Sequence, residues 1–260
     1  MNRIRQTFTF LLLLFVAGTP NAYSAPEGYF YVRSVFDGDT VLLNNGKKVR
    51  LLGINTPEIN YKNGKAEPFA YQAKSRLERL VDRKPVRLEY DKRKTDKFGR
   101  ELAHLYTKDG LWLNKVLVSE GLAHVYSFHE NTKHVETLLA EEAKAQLAKK
   151  GLWSHKKWRT FQASDLYNLE KRIGEFAIVE GTVSQANQVG DKFYINFGKN
   201  WRQDFTVQIS DRYKHNFSRE TLQKFKDLQG KKVTVRGKLI PINGPMISIT
   251  HPQQLTILSK

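Results

Sequence analysis

The segment running from Tyr29 to Ile54 constrains the fold most. Two strand-like runs, residues 29–36 and 40–43, are followed by Asn44-Asn45-Gly46 and a returning run at 48–54. Asparagine and glycine tolerate the positive φ of a tight hairpin turn, so this stretch reads as a β-meander rather than a helix. The pattern then changes period. Residues 67–83 place Phe69, Ala73, Leu77 and Leu80 on one helical face, and Pro85 stops the helix. Runs at 86–90 and 102–106 make a second strand pair. A helix follows at 113–122, and another at 133–150 carries Val135, Leu138, Leu139, Ala143 and Leu147, with Gly151 as its C-cap.

Past residue 154 the character shifts. Residues 155–165 are polar and basic with Trp158 and Phe161 embedded, which reads as a linker that docks. Short strands are expected at 176–183, 192–197, 204–209, 232–239 and 246–258, with one helix at 218–228. Five strands with a helix before the fourth outline a small oligonucleotide-binding barrel. The chain is thus expected to be mostly β with helices. Its units would be a first domain at 25–154, a linker at 155–165 and an accessory domain at 166–260.

With no cysteine among 260 residues, disulfides and thiolate metal sites are excluded, and so is a lipoprotein anchor. Residues 1–24 carry Arg3 and Arg5, an apolar run at 8–17, and the small residues Ala22 and Ser24. This is the pattern of a secretory leader cut after Ser24, and the apolar run is short for a membrane span. The protein is therefore expected outside the cytoplasm, secreted or periplasmic, as a monomer with no stable membrane anchor. The 43 Lys and Arg against 26 Asp and Glu leave a net charge of +17, a field that gathers polyanions. From Asp165 onward 15 basic residues face 9 acidic ones, so the accessory domain is expected to bind nucleic acid as well.

Chemistry concentrates in three segments. Phe36-Asp37-Gly38-Asp39-Thr40 is an acidic turn, and Arg50-Leu51-Leu52-Gly53-Ile54-Asn55-Thr56-Pro57-Glu58 follows it. Asn55 offers a hard oxygen. Thr56 precedes a proline, which favours extended backbone and can aim its carbonyl outward. Side-chain oxygens, a carbonyl and water suit Ca²⁺. Glu58 is close enough in sequence to act as a general base on water. The third segment, Thr95-Asp96-Lys97-Phe98-Gly99-Arg100, adds a second arginine, so Arg50 and Arg100 both offer planar forks for phosphate oxygens.

These segments, in this order and spacing, resemble the staphylococcal nuclease family, and the likeness extends from Tyr29 through Gly121-Leu122-Ala123 and Asn131-Thr132 to Trp153. The resemblance implies a five-stranded oligonucleotide-binding-type barrel with three helices and a calcium-dependent nuclease active on DNA and RNA, leaving 3′-phosphate ends. It assigns Asp39 and the Thr56 carbonyl to the metal, Glu58 to the base, and Arg50 and Arg100 to the phosphate. Lys97 and Phe98 match a lysine and an aromatic at the nucleotide, and Tyr126 and Phe128 fall near two tyrosines. One position departs: Asn55 stands where the family's type member has a second aspartate ligand, so one charge is lost, and Asp37 lies near enough to compensate through water.

Other features read more openly. Tyr126 and Phe128, two apart, suit base stacking or core packing equally. Lys92-Arg93-Lys94 reads as a phosphate-tracking loop or a solvated one. His104, His124, His129 and His134 form no zinc pattern, and Trp201, Phe205 and Tyr213 suit stacking or core. Two rival functions share the composition: a non-catalytic nucleic-acid-binding protein with a weakened metal site, and a phosphodiesterase for another secreted polymer.

Overall fold

The computed structural model describes residues 25–62 and 64–258. The leader read at residues 1–24, with its cut after Ser24, lies outside the described residues. Five strands, β1 (Phe30–Val35), β2 (Thr40–Leu43), β3 (Lys48–Leu51), β4 (Pro85–Glu89) and β5 (Glu101–Thr107), close a barrel in the order β1-β2-β3-β5-β4. The β3–β5 ladder is parallel and the others antiparallel. The hairpin expected at Asn44-Asn45-Gly46 forms, with Gly46 at φ 83°. Val41 and Leu43 on β2, and Val49 and Leu51 on β3, are buried in the barrel. The same two-residue alternation turns Arg50, between Val49 and Leu51, to the opposite face.

Helices α1 (Ala70–Val81), α2 (Leu113–Ser119) and α3 (Val135–Leu147) cover the barrel. α1 buries Ala73, Leu77 and Leu80 as the pattern indicates, but it starts later than the sequence suggests. Phe69 sits at φ 73°, outside helical space, and forms its N-cap. α3 differs more. Its buried face is Val135, Leu138, Glu142 and Ala145, while Leu147, expected in the core, is 89% exposed. The face is rotated because Glu142 turns inward to an arginine from the second half of the chain.

That second half gathers around its own hydrophobic cluster. Its strands are β6 (Phe176–Thr182), β7 (Gln185–Val189), β8 (Lys192–Asn196), β9 (Thr206–Ile209), β10 (Lys232–Pro241), β11 (Pro245–Ser248) and β12 (Leu255–Ile257). Together with Phe161–Gln162 they form one path, 161–162, β6, β10, β11, β9, β8, β7, with β12 also paired to β10. β10 bends the sheet around its core, since residues 232–238 pair with β6 and 239–241 with β11. Helix α4 (Arg219–Lys226) precedes β10, capped by the Ser218 hydroxyl. The sheet holds more strands than the pattern indicates. β7 is polar and mostly exposed, so it shows no alternation, and the expected 246–258 run is split by a 3₁₀ turn at Pro252–Gln254.

Of the 155–165 segment read as a linker, Phe161–Gln162 instead joins the second sheet and Phe161 and Ala163 its core, because these apolar side chains pack there, while the part before them docks on the first half. Lys157 Nζ lies 2.6 Å from Glu67 Oε1, and the Trp158 indole donates to the Pro68 carbonyl at 3.3 Å. Among the described residues no helix is long and apolar enough to cross a membrane.

Candidate active site

The turn between β1 and β2 begins the site. Asp37 accepts from the Asp39 amide at 3.0 Å, which holds the Asp-Gly-Asp turn in shape. Gly38 is required by a close approach: a Cβ there would lie 2.6 Å from Ala73 Cβ on α1 and 2.7 Å from Thr56 Cγ2. The turn is thereby pressed against the segment that carries the other oxygens.

Asp39 is buried, and its Oδ2 accepts from the Thr56 amide at 2.8 Å and the Thr56 hydroxyl at 3.1 Å. Arg50 Nη1 lies 2.9 Å from the same oxygen, and Arg50 Nη2 donates to Asn55 Oδ1 at 2.8 Å. One guanidinium therefore bridges Asp39 and Asn55. Asn55 Nδ2 donates to the Thr56 carbonyl at 3.2 Å, which sets that carbonyl beside Asn55. Burial pushes the Asp39 carboxyl up to about 7; Arg50 pulls it down, and neighbouring Asp37 pushes it up again.

This donor set fits a hard divalent cation. It offers a buried carboxylate, a second carboxylate beside it at Asp37, an amide oxygen and a carbonyl, the hard oxygens that such an ion takes. Among the described residues no group of three or more acids, histidines or cysteines is arranged to hold a metal ion, so neutral oxygens would supply much of the coordination.

Glu58 sits exposed at the rim, in the irregular segment between the Ile54–Asn55 and Ile59–Asn60 strands. Neighbouring protein atoms still desolvate its carboxyl enough to raise it, and Asp37 adds to the rise while Arg50 and Arg100 oppose it. Arg100 enters from the opposite wall. Asp96 Oδ2 accepts from its Nε at 2.7 Å, and Asp96 Oδ1 accepts from the Phe98 and Arg100 amides. Burial opposes ionisation of Asp96, yet these bonds hold its carboxyl below the usual range. Phe98, 72% exposed, lies 5.0 Å from Lys97 Nζ and 5.6 Å from the Arg100 guanidinium.

The third wall is the segment after α2. His124–Val125 pairs antiparallel with Ile54–Asn55, which brings Tyr126 and Phe128 beside the oxygen cluster. Their rings meet edge-on at 5.0 Å, with Phe128 half exposed and Tyr126 more covered. All three walls line one cleft of about 370 Å³ that takes in Asp37, Asp39, Arg50, Asn55, Glu58, Lys97, Phe98, Arg100, Tyr126 and Phe128. Thr56 lies behind it, its amide and hydroxyl turned to Asp39.

Two further residues belong to the cleft. Asn131 clamps the Arg93 backbone, accepting from its amide and donating to its carbonyl, both at 2.9 Å. That fixes Arg93 on the cleft wall, 3.2 Å from Glu130. Within Lys92-Arg93-Lys94 nothing in the sequence separates Arg93 from its neighbours; Asn131 stood in the resembling segment without a role.

The second half also reaches this wall. Phe176 stacks on His124 at 4.5 Å and meets Tyr126 edge-on at 5.3 Å. His251 Nε2 and Ser127 Oγ are 3.1 Å apart. Arg236 Nη2 pairs with Glu142 Oε2 at 2.7 Å while its Nη1 donates to the Val125 carbonyl, and Glu142 Oε1 accepts from the Val125 amide. Phe205, by contrast, is core.

The family model described as Staphylococcal nuclease homologue matches residues 48–155. A thermonuclease of Staphylococcus hyicus is 34% identical over 135 residues, spanning 51% of this chain and 79% of that protein. The endonuclease YncB of Bacillus subtilis is 38% identical over 144 residues, 53% of this chain and 68% of the relative. A thermonuclease of Staphylococcus intermedius is 34% identical over 126 residues, covering 47% and 73%. With the closed five-stranded barrel and its cleft, this kinship makes the chain a member of the staphylococcal nuclease family.

Proposed function

We propose that this protein is a secreted, calcium-dependent nuclease that cuts DNA and RNA on the 5′-oxygen side, leaving 3′-phosphate ends. As a member of a nuclease family the chain hydrolyses phosphodiester bonds. The observation that carries the finer reading is the convergence of Asp39, Asn55, Glu58, Arg50 and Arg100 on one cleft. Asp39, Asn55 and the Thr56 carbonyl would hold Ca²⁺, with Asp37 contributing through water. A bound Ca²⁺ supplies positive charge to a non-bridging phosphate oxygen.

The chain's own groups do the rest. Glu58 accepts the proton of the attacking water, a task suited to a carboxyl that burial raises above its usual range. Arg50 and Arg100 donate to the equatorial phosphoryl oxygens as negative charge grows there, and each is pre-oriented by an acid, Asp39 or Asp96. Phe98 and Phe128 offer exposed rings to the flanking bases, with Tyr126 beneath and Lys97 near the phosphate. Residues 25–154 carry the chemistry, 155–165 link, and 166–260 bind nucleic acid. The leader-like residues 1–24 support export.

Incubation with plasmid DNA and with a homopolymer RNA, followed by end analysis, tests this. Both should be cut to fragments that a polymerase extends only after phosphatase treatment. Fragments extended without phosphatase would refute the cleavage side, and intact RNA would restrict the substrate to DNA.

A further inference from the structure

The cleft continues past Phe128. A second opening of about 430 Å³ is lined by Lys92, Arg93, His129, Glu130 and Asn216, and it shares Arg93 and Glu130 with the first. Asn216 belongs to the second half of the chain, so the two halves form opposite walls. Tyr213 stands on the far wall, its ring 5.1 Å from His129 and 5.4 Å from the Arg212 guanidinium. One residue on, Lys214 lines a third concavity of about 240 Å³ together with Arg219 and Lys226. No acid lines it, and among the described residues Lys214, Arg219 and Lys226 have no ion-pair partner. The neighbouring Lys224 is different, since it pairs with Glu220 at 2.8 Å.

Three unpaired cations gather in one concavity, one of them on the residue that follows Tyr213, and have the chemistry of a phosphate site. Proteins that hold single strands combine a basic groove with aromatic platforms, and Phe98 and Phe128 in the cleft offer such platforms only to unpaired bases. We propose that a single strand of nucleic acid leaving the cleft runs past His129 and Tyr213 and is held by its phosphates at Lys214, Arg219 and Lys226. This rests on the reading of the cleft as a nuclease site. The contacts of Arg236 with Glu142 and of His251 with Ser127 fix the two walls of the path relative to each other.

The test uses the full chain in excess chelator, so that binding is read without cleavage. Labelled oligothymidylates of about 4 and about 16 nucleotides span the usual range of sites on one oligonucleotide-binding fold. K214Q/R219Q/K226Q should weaken binding of the long strand, and its salt slope should fall by about 2, at roughly 0.7 per lost phosphate contact. The short strand, confined to the cleft, should keep the wild-type slope. Tyr213→Ala should weaken the long strand about tenfold without changing the slope, as loss of a stacking platform does. A control variant, K108Q/K149Q/K150Q, removes the same charge elsewhere and should leave the long-strand slope alone. An unchanged slope in the first variant, equal weakening of both strands, or an equal effect from the control would overturn the path. Failure of the wild type to cut nucleic acid would refute the nuclease reading while leaving these binding results to stand or fall separately.

Discussion

Replacing Arg236 by methionine tests how the two halves are joined. The Arg236 side chain is 9% exposed and that of Glu142 1%, with 2.7 Å between Nη2 and Oε2. An exposed pair would contribute at most about 1 kcal/mol. Here the substitution keeps apolar bulk but strips the Glu142 carboxyl of its cation in a nearly dry interface, with the Val125 amide as its remaining partner. Breaking a buried pair from one side costs about 3–5 kcal/mol. For a chain of this size each kcal/mol lowers Tm by about 2–4 °C, so a fall on the order of 10 °C is expected. The double variant R236M/E142Q should recover most of the loss, because a neutral amide can still accept from Val125. Urea and thermal unfolding of the wild type, both single variants and the double variant supply the cycle. The Michaelis constant of R236M should also rise, since Val125 is the ladder partner of Ile54 and precedes Tyr126. A cost under about 1 kcal/mol, or a double variant as unstable as the two single losses added, would refute the reasoning.

Asn55→Asp restores a second carboxylate and should lower the Ca²⁺ concentration for half-maximal cleavage; an unchanged or higher requirement would show that Asp37 already completes the site. Glu58→Gln should reduce kcat by about 10²–10⁴ with little change in stability, and a smaller loss would remove Glu58 from the proton transfer. Burial holds the His104 imidazole down to about 4, with His134 adding to the drop. The unfolded chain therefore binds the extra proton between about pH 6.5 and 4, and stability falls as pH drops through that window, by at most about 1.4 kcal/mol per pH unit. His104→Phe should flatten the pH dependence of unfolding across that window, and an unaltered slope would contradict the assignment.

The parts of the site that the sequence reveals are those built locally. Asp37 to Thr40 is one turn, Arg50 to Glu58 one strand and its exit, and Thr95 to Arg100 one loop closed on Asp96, so each motif carries its geometry within a few residues. The barrel is legible for the same reason: alternation places Val49 and Leu51 inside and Arg50 outside. What is hidden depends on partners far away. Glu142 resembles any acid on a solvated helix face until Arg236, 94 positions on, draws it inward and displaces Leu147 to the surface. Phe176 and His251 brace the Tyr126 segment from the other core. Strand β7 is missed because its side chains face water on both sides.

The account rests on a cation held at Asp39, Asn55 and Thr56, and a chelation assay addresses it most directly. Purified full-length protein is incubated with plasmid DNA in excess chelator, then with Ca²⁺ added back in steps. Cleavage should vanish in chelator and return with Ca²⁺ along a saturation curve that shifts to lower concentration in Asn55→Asp. Undiminished cleavage in excess chelator would contradict the metal site and the mechanism built on it.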